Sequence, residues 1–494
     1  MKIRCWKKWL AGIYLLAFPF FGKAQTVQDS LQLTLEKAIA IAMSENPSVK
    51  VAGLEIKKKE YAKQSAQSAL YPQIDVVGQY TRTLKKQVMY MDGAFDMGSM
   101  LNPVILPLYA GIDQTFQQTG LQPGDFYNYA KAAQEAYDAA NPPQTSSDGG
   151  ISVGRDNNWT GGLNLSWPVV VPTLWKTLDI SSLDVELAVE SARSSKVNLS
   201  NDVKKAYYGV MLAQDSYDVF RESYDNALSN YNNIKQKFDQ GLASEFEVIT
   251  ADVRVKNVKP NMIQAQNALS LASLSLKALM GIDLDQAVKP MGSLKDYEEN
   301  IYADVIQADT SLANNSNLRQ LDLRSEQLQK TLQLYKAQYW PTVAITGQYV
   351  YMSMNNDFRF ADYKWNPYST VGLSVSIPLF DGFKKRSDVR QTRVSIEQMK
   401  YQREELVKNL TLSVKNGINS MTNYVEQVFS TKGVVKQAQK GYDISLKRYD
   451  TGMGTLLELN DAQVAHIQAS LAYNQAIYNY LSSKADLAKT LGLE

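Results

Sequence analysis

Residues 46–80 and 315–349 lie over one another without a gap at an offset of 269, and this internal repeat limits what the chain can become. Pro72 meets Pro341, and both copies end in Gly-Gln-Tyr. Further on, LNLSWP at 163–168 matches LSVSIP at 373–378 at an offset of 210. Gly241 then pairs with Gly452, and Gly281 with Gly492, both at an offset of 211. The two copies keep step within one residue from their second strand to their last helix. The whole discrepancy of 59 residues therefore falls between Tyr80 and Leu163. Helix lengths are held fixed, whereas one connection is free to grow.

Each copy reads as helix, strand, loop, strand, long helix, tip, helix. The strand evidence is alternation with period two. Ile74, Val76 and Tyr80 share one face, and Asp75, Val77 and Gln79 the other. Val343, Ile345, Tyr349 and Tyr351 oppose Ala344, Thr346 and Gln348. Leu163, Leu165 and Trp167 oppose Asn164 and Ser166, and Val371, Leu373, Val375 and Ile377 oppose Thr370, Ser374 and Ser376. In a soluble sheet the apolar face would cover a core. In an outer-membrane barrel it meets lipid while the polar face lines water, and aromatic residues mark the interfaces. Four strands leave open edges that lipid does not tolerate, so a membrane barrel needs several chains to share one wall.

The helical runs are long. No proline interrupts the segment from Phe383 to Tyr449, and Leu406, Leu410, Val414, Ile418, Met421, Val425 and Val428 recur at three- and four-residue steps. About 65 residues at about 1.5 Å each make roughly 100 Å of helix with a coiled-coil stripe. Its counterpart runs from about Trp175 to Phe238.

The N-terminus carries Lys2, Arg4, Lys7 and Lys8, then an apolar run from Trp9 to Phe21 and the small-residue site Gly22-Lys23-Ala24. Residues 1–24 are expected to be a signal peptide cut before Gln25, because the run is too short for an anchor helix and contains Pro19. Cys5, the chain's one cysteine, leaves with it, so the mature chain has no disulfide and no thiolate site. The leader takes five of the 52 basic residues and none of the 50 acidic ones. The slightly acidic remainder argues against nucleic acid as a partner.

No enzyme constellation or cofactor site competes. His466, the one histidine, stands mid-helix without clustered carboxylates and reads as a packing or surface residue. GISVGRDNNWTG follows no strand of a βαβ unit, so its glycines do not read as a phosphate loop. IKKKEYAK reads as a solvated helix face. Residues 81–160, rich in proline, read as an extracellular loop with some helix around YNYAKAAQEAYDAA.

Taken together, the duplicated strand-loop-strand, RYDTGMGTLLELNDAQ at 448–463, KFDQGLASEFEVITAD at 237–252 and the closing KTLGL resemble the TolC family of outer-membrane efflux proteins. The resemblance implies a mainly α chain with a small β part and an internal duplication. Three chains would each give four strands to an outer-membrane β-barrel, continued by a long periplasmic α-helical barrel. The first repeat would occupy 25–282, an equatorial linker 283–310 and the second repeat 311–494, with Pro168 and Pro378 at the strand-to-helix junctions. The role implied is a passive export duct for tripartite efflux or type I secretion, in contact with outer-membrane lipid, a periplasmic adaptor and an inner-membrane pump. Gly241, Leu242, Gly452, Met453 and Gly454 would form the tips where the adaptor docks. Tyr449 with Glu247 would hold neighbouring hairpins closed, and Glu458 and Asp461 would ring the entrance. The chain departs from the family pattern at Gly454, where a closing arginine is expected. A non-pore periplasmic coiled-coil scaffold is the alternative, and the four alternating strands speak against it.

Overall fold

The computed structural model describes residues 31–90, 107–115, 126–140, 150–301 and 310–493. The expected signal peptide lies outside these residues, as do parts of 81–160 and of 283–310. In chain order, β1 (Leu31–Leu33) precedes α1 (Leu35–Glu45) and α2 (Pro47–Ser68). β2 (Gln73–Arg82), β3 (Gln87–Tyr90), α3 (Phe126–Ala140), β4 (Gly150–Val153) and β5 (Asn157–Val170) follow. Next come α4 (Pro172–Asp239), α5 (Glu245–Met280) and β6 (Val288–Pro290). The second half brings α6 (Ser316–Ala337), β7 (Thr342–Asn355), β8 (Asn366–Ser376), α7 (Lys384–Asp450) and α8 (Leu456–Leu491). Contacts divide the chain into a helical unit (Met1–Gln67, Thr173–Tyr339, Phe380–Glu494) and a strand unit (Ser68–Pro172, Trp340–Leu379).

In the helical unit, corresponding helices match in length. α4 has 68 residues and α7 67, while α5 and α8 have 36 each. The stripe on α7 is the buried one: Val414, Met421 and Val428, seven apart, are buried, and Ile418 and Val425 pack beside them. They meet Val203, Tyr207 and Val210 of α4 and Tyr473, Ile477 and Tyr480 of α8 in one core, which Leu33, Ala38 and Leu294 close at its side. The IKKKEYAK stretch lies in α2, which buries no residue.

Two features of this unit were not legible in the sequence. β1 pairs in parallel with β6, Leu31 opposite Val288, and Tyr207 donates its hydroxyl to Leu33 O (2.9 Å) and Met291 O (3.1 Å), pinning that ribbon to α4. The second feature is a pair of clamps. α5 and α8 end in left-handed Gly281 and Gly492. Asn46 donates to Leu279 O, and Asn315 to Thr490 O, both at 2.7 Å. A Cβ on Gly281 would lie 2.9 Å from Asn46 Cα, and one on Gly492 only 2.1 Å from Asn314 O. Only glycine allows both the left-handed turn and this approach.

The strand unit contains an antiparallel sheet in the order β2-β5-β7-β8 and a ribbon of β3 with β4. The register aligns the alternating faces. Val76 pairs with Leu163 and Leu163 with Tyr349; Trp167 pairs with Ile345 and Ile345 with Leu373. Asp75, Asn164, Gln348 and Thr370 line up on the other face. The apolar face covers no core on the edge strands: Ile74 is 68% exposed, Val76 83%, Val371 86% and Leu373 68%. Aromatic residues gather at both strand ends. Tyr80 and Trp159 stack at 4.3 Å beside Phe358 and Phe360 at one end, and Tyr71, Trp167 and Trp340 stand at the other.

The strands run further than alternation indicates. β5 starts at Asn157, because Asn157-Asn158-Trp159-Thr160-Gly161-Gly162 pairs fully with both neighbours although it lacks an apolar face. Gly162 is needed there, since a Cβ would lie 2.2 Å from Tyr349 O. Pro168, expected at the junction with the helix, sits inside β5 opposite Ala344, and the register shifts before Val170. A proline has no amide to donate, and such an irregularity accommodates it. Pro378 follows the end of β8 and precedes α7. The helix expected around YNYAKAAQEAYDAA is α3. Among the described residues no helix is long and apolar enough to cross a membrane.

These faces make a depth-dependent prediction. Val76→Arg or Leu373→Arg should cost on the order of 2–4 kcal/mol near a bilayer midplane, while Thr346→Arg, on the polar face, should cost far less; folding titrations into lipid vesicles measure both. The clamp makes another. Gly241 has positive φ and open space around it, so Gly241→Ala should lose only the conformational cost, on the order of 1–2 kcal/mol. Gly492→Ala should lose clearly more in thermal unfolding followed by circular dichroism.

Candidate functional site

The two turns joining the long helices are built alike from chemically similar residues. Gly241 N–H donates to Phe238 O and Leu242 N–H to Lys237 O, both at 2.8 Å; Gly452 N–H donates to Tyr449 O (3.1 Å) and Met453 N–H to Arg448 O (2.8 Å). Each glycine is left-handed, with φ of 75° and 72°, which lets the last carbonyls of the helix find donors. A hydroxyl then caps the returning helix: Ser244 Oγ accepts from Glu247 N–H (3.3 Å), and Thr455 Oγ from Glu458 N–H (3.2 Å).

The acidic residues diverge after this common start. Glu247 completes a capping box, accepting from Ser244 N–H at 2.8 Å. Glu458 turns instead to Arg448, 3.4 Å from Nη1, while Arg448 Nη2 donates to Met453 O at 3.1 Å. Gly454 stands where the arginine is expected, and a Cβ there would press on Arg448 Cβ at 3.0 Å. The guanidinium of this turn comes from Arg448.

Tyr449 is brought to the first turn. Lys237 Nζ lies 5.2 Å from the centre of its ring, a cation–π contact. Burial raises the Tyr449 hydroxyl above its ordinary pKa, and the charges of Glu247 and Asp450 add to the effect. Tyr449, Glu247 and Glu458 thus gather at the two turns. Asp461 lies one turn of α8 beyond Glu458 on the same face, and both carboxylates are exposed. Sequence reading missed Phe246 and Leu457. With Leu242 and Met453 they form an exposed apolar quartet, two per turn, and the offset of 211 relates each pair.

A small sheet with a lipid-suited face, attached to helical hairpins of matched length, defines a class of bacterial outer-membrane channel rather than a soluble bundle. The model of the family described as outer membrane efflux protein matches residues 127–282 and 308–493. The chain belongs to that family, which places it in the outer membrane with its helices in the periplasm. It is 21% identical over 368 residues to the outer membrane protein TolC of Vibrio cholerae, covering 71% of this chain and 82% of that one. It is 22% identical over 350 residues to the alkaline protease secretion protein AprF of Pseudomonas aeruginosa, with 70% and 72% covered. Among solved structures, the CmeC outer membrane channel of Campylobacter jejuni aligns with a TM-score of 0.66 at 16% identity, covering 93% of this chain and 85% of that one. VceC of Vibrio cholerae aligns with a TM-score of 0.65 at 14% identity, covering 93% and 96%.

The Lys237–Tyr449 contact ties one hairpin turn to the other. Lys237→Glu should separate them, while Lys237→Arg should not. Electron spin resonance distances between labels at Leu242 and Met453 should lengthen and broaden in the first variant only.

Proposed function

We propose that three copies of the chain form one outer-membrane channel that acts as the passive export duct of a tripartite efflux or type I secretion system. The observation that carries this reading is the β2-β5-β7-β8 sheet, with an exposed apolar face and two edge strands. Lipid requires every backbone group to be paired, so β2 of one copy must take β8 of the next. Twelve strands then close around water. The chain is a duct, not a catalyst; energy and cargo choice reside in an inner-membrane pump.

The turns with Gly241 and Gly452 are the periplasmic tips in this reading. Leu242, Phe246, Met453 and Leu457 supply the apolar surface for a periplasmic adaptor, and Gly454 keeps the second turn tight. Tyr449 with Lys237 holds one hairpin against the other in the resting state, and Arg448 with Glu458 braces the second turn itself, in place of an arginine at 454. Glu247 acts there through its charge, since its carboxylate is engaged by Ser244. The described part of the linker, 283–301, would contribute to an equatorial belt through β6, which pairs with β1.

Glu458 and Asp461 from three copies would converge six carboxylates at the entrance. Like charges held close in a narrow channel attract cations. Outer membranes extracted in mild detergent should yield a heat-modifiable trimer with single-channel conductance, blocked by trivalent cations added from the periplasmic side. Glu458→Gln with Asp461→Asn should abolish the block and weaken cation selectivity while the trimer stays intact. A chain that never forms a trimer and never conducts is a scaffold instead; a conducting double variant with unchanged block removes these two residues from the entrance.

A further inference from the structure

The helical unit contains a cavity of about 470 Å³ that none of these roles uses, within the size range of small-molecule sites. α4 lines it with Glu222 and Ser223, α7 with Lys436 and Tyr442, and α8 with His466 and Asn474. Most buried polar groups nearby are satisfied: Gln463, 3% exposed, donates Nε2 to Ser223 O at 3.2 Å. Asn474 is equally buried, yet its Oδ1 has no partner, and neither has the buried Nδ1 of His466. A buried amide oxygen without a donor is costly and marks a place where another molecule completes the hydrogen bond.

The charges around the cavity give that molecule a sign. Lys295, Lys432, Lys436 and Glu222 all line it. Lys432 is ion-paired to Glu298, whose carboxylate also accepts from Tyr473 Oη at 2.7 Å. Counting the lining residues together with Glu298, which pairs Lys432, three ammonium groups stand against two carboxylates, an excess of one positive charge. Val219, Val435 and Ile467 give it an apolar wall, and the Tyr442 and His466 rings stack at 17°.

We propose that this cavity binds a small organic monoanion that also carries a hydroxyl or amine. Its anionic group meets Lys295 and Lys436, its donor completes Asn474 Oδ1, and its carbon frame lies along the apolar wall. The site does not depend on the channel reading, because binding is measured whether or not the protein conducts. The probe is 4-hydroxybenzoate, titrated calorimetrically into the full chain in uncharged detergent. Saturable binding at one per chain is expected. Benzoate, which lacks the donor, and 4-hydroxybenzamide, which lacks the charge, should each bind at least tenfold more weakly. Lys436→Gln should weaken both carboxylates, 4-hydroxybenzoate and benzoate, leaving the amide's affinity unchanged. Ser470→Trp, which fills the cavity, should remove binding of all three. Asn474→Leu should erase the preference over benzoate; if that buried change unfolds the chain, the exposed Lys436→Gln decides. No saturable heat means the cavity holds solvent only and overturns the proposal. Equal binding of the amide, or binding untouched by Ser470→Trp, overturns it too.

Discussion

A backbone amide cannot be left unpaired in hydrocarbon, and the sheet presents two rows of them, on the outer sides of β2 and β8. Everything else about the strand unit is consistent with removing those edges. An apolar face exposed on the edge strands would be an aggregation hazard in water. With the edges joined between copies, the same face becomes a lipid-facing band bounded by Tyr80 and Trp159 at one end and Trp167 at the other. In the proposed trimer one chain contributes an arc, and only the assembly is a wall.

Inside the helical unit the repeated problem is how to end a long helix against its neighbour. The chain solves it twice in one way at the clamps, where Asn46 and Asn315 take the last carbonyls and Gly281 and Gly492 make room. At the hairpin turns the backbone is again shared, but the electrostatics are not. Glu247 folds back on its own cap, whereas Glu458 reaches Arg448. The equivalent cation of the first turn, Lys237, is free to cover Tyr449. The two turns share one backbone geometry, and their side chains make them unequal.

What could be read from the residues follows from periodicity. Alternation along Ile74–Tyr80 and Val343–Tyr351 assigned the two faces, and the steps from Leu406 to Val428 found the buried stripe of α7. The tip glycines were visible because only glycine adopts φ near 75° at little cost. β1 and β6 stayed hidden because three residues cannot show a period, and their partners lie far apart in the chain. The outer part of β5 was hidden for a different reason: Asn157–Gly162 carries polar and small residues whose pairing is dictated by their neighbours. Lys237 over Tyr449 has no local signature at all, since it depends on two hairpins meeting. The orphan oxygen of Asn474 is invisible until its surroundings exist.

The matched lengths of α4 with α7 and of α5 with α8 carry a consequence for how such a chain can change size. One added residue in the middle of α7 would turn everything beyond it by about 100° and advance it by about 1.5 Å. Val428 would then leave the stripe it shares with Val414 and Met421, and the Tyr449 turn would no longer face Lys237. Seven added residues restore the stripe but move one turn about 10 Å past the other unless α8, and then α4 and α5, grow as well. Growth of the hairpins is therefore restricted to concerted steps of about a heptad in all four helices. The connection from β2 to β5 obeys no such rule, and it alone holds the 59 extra residues.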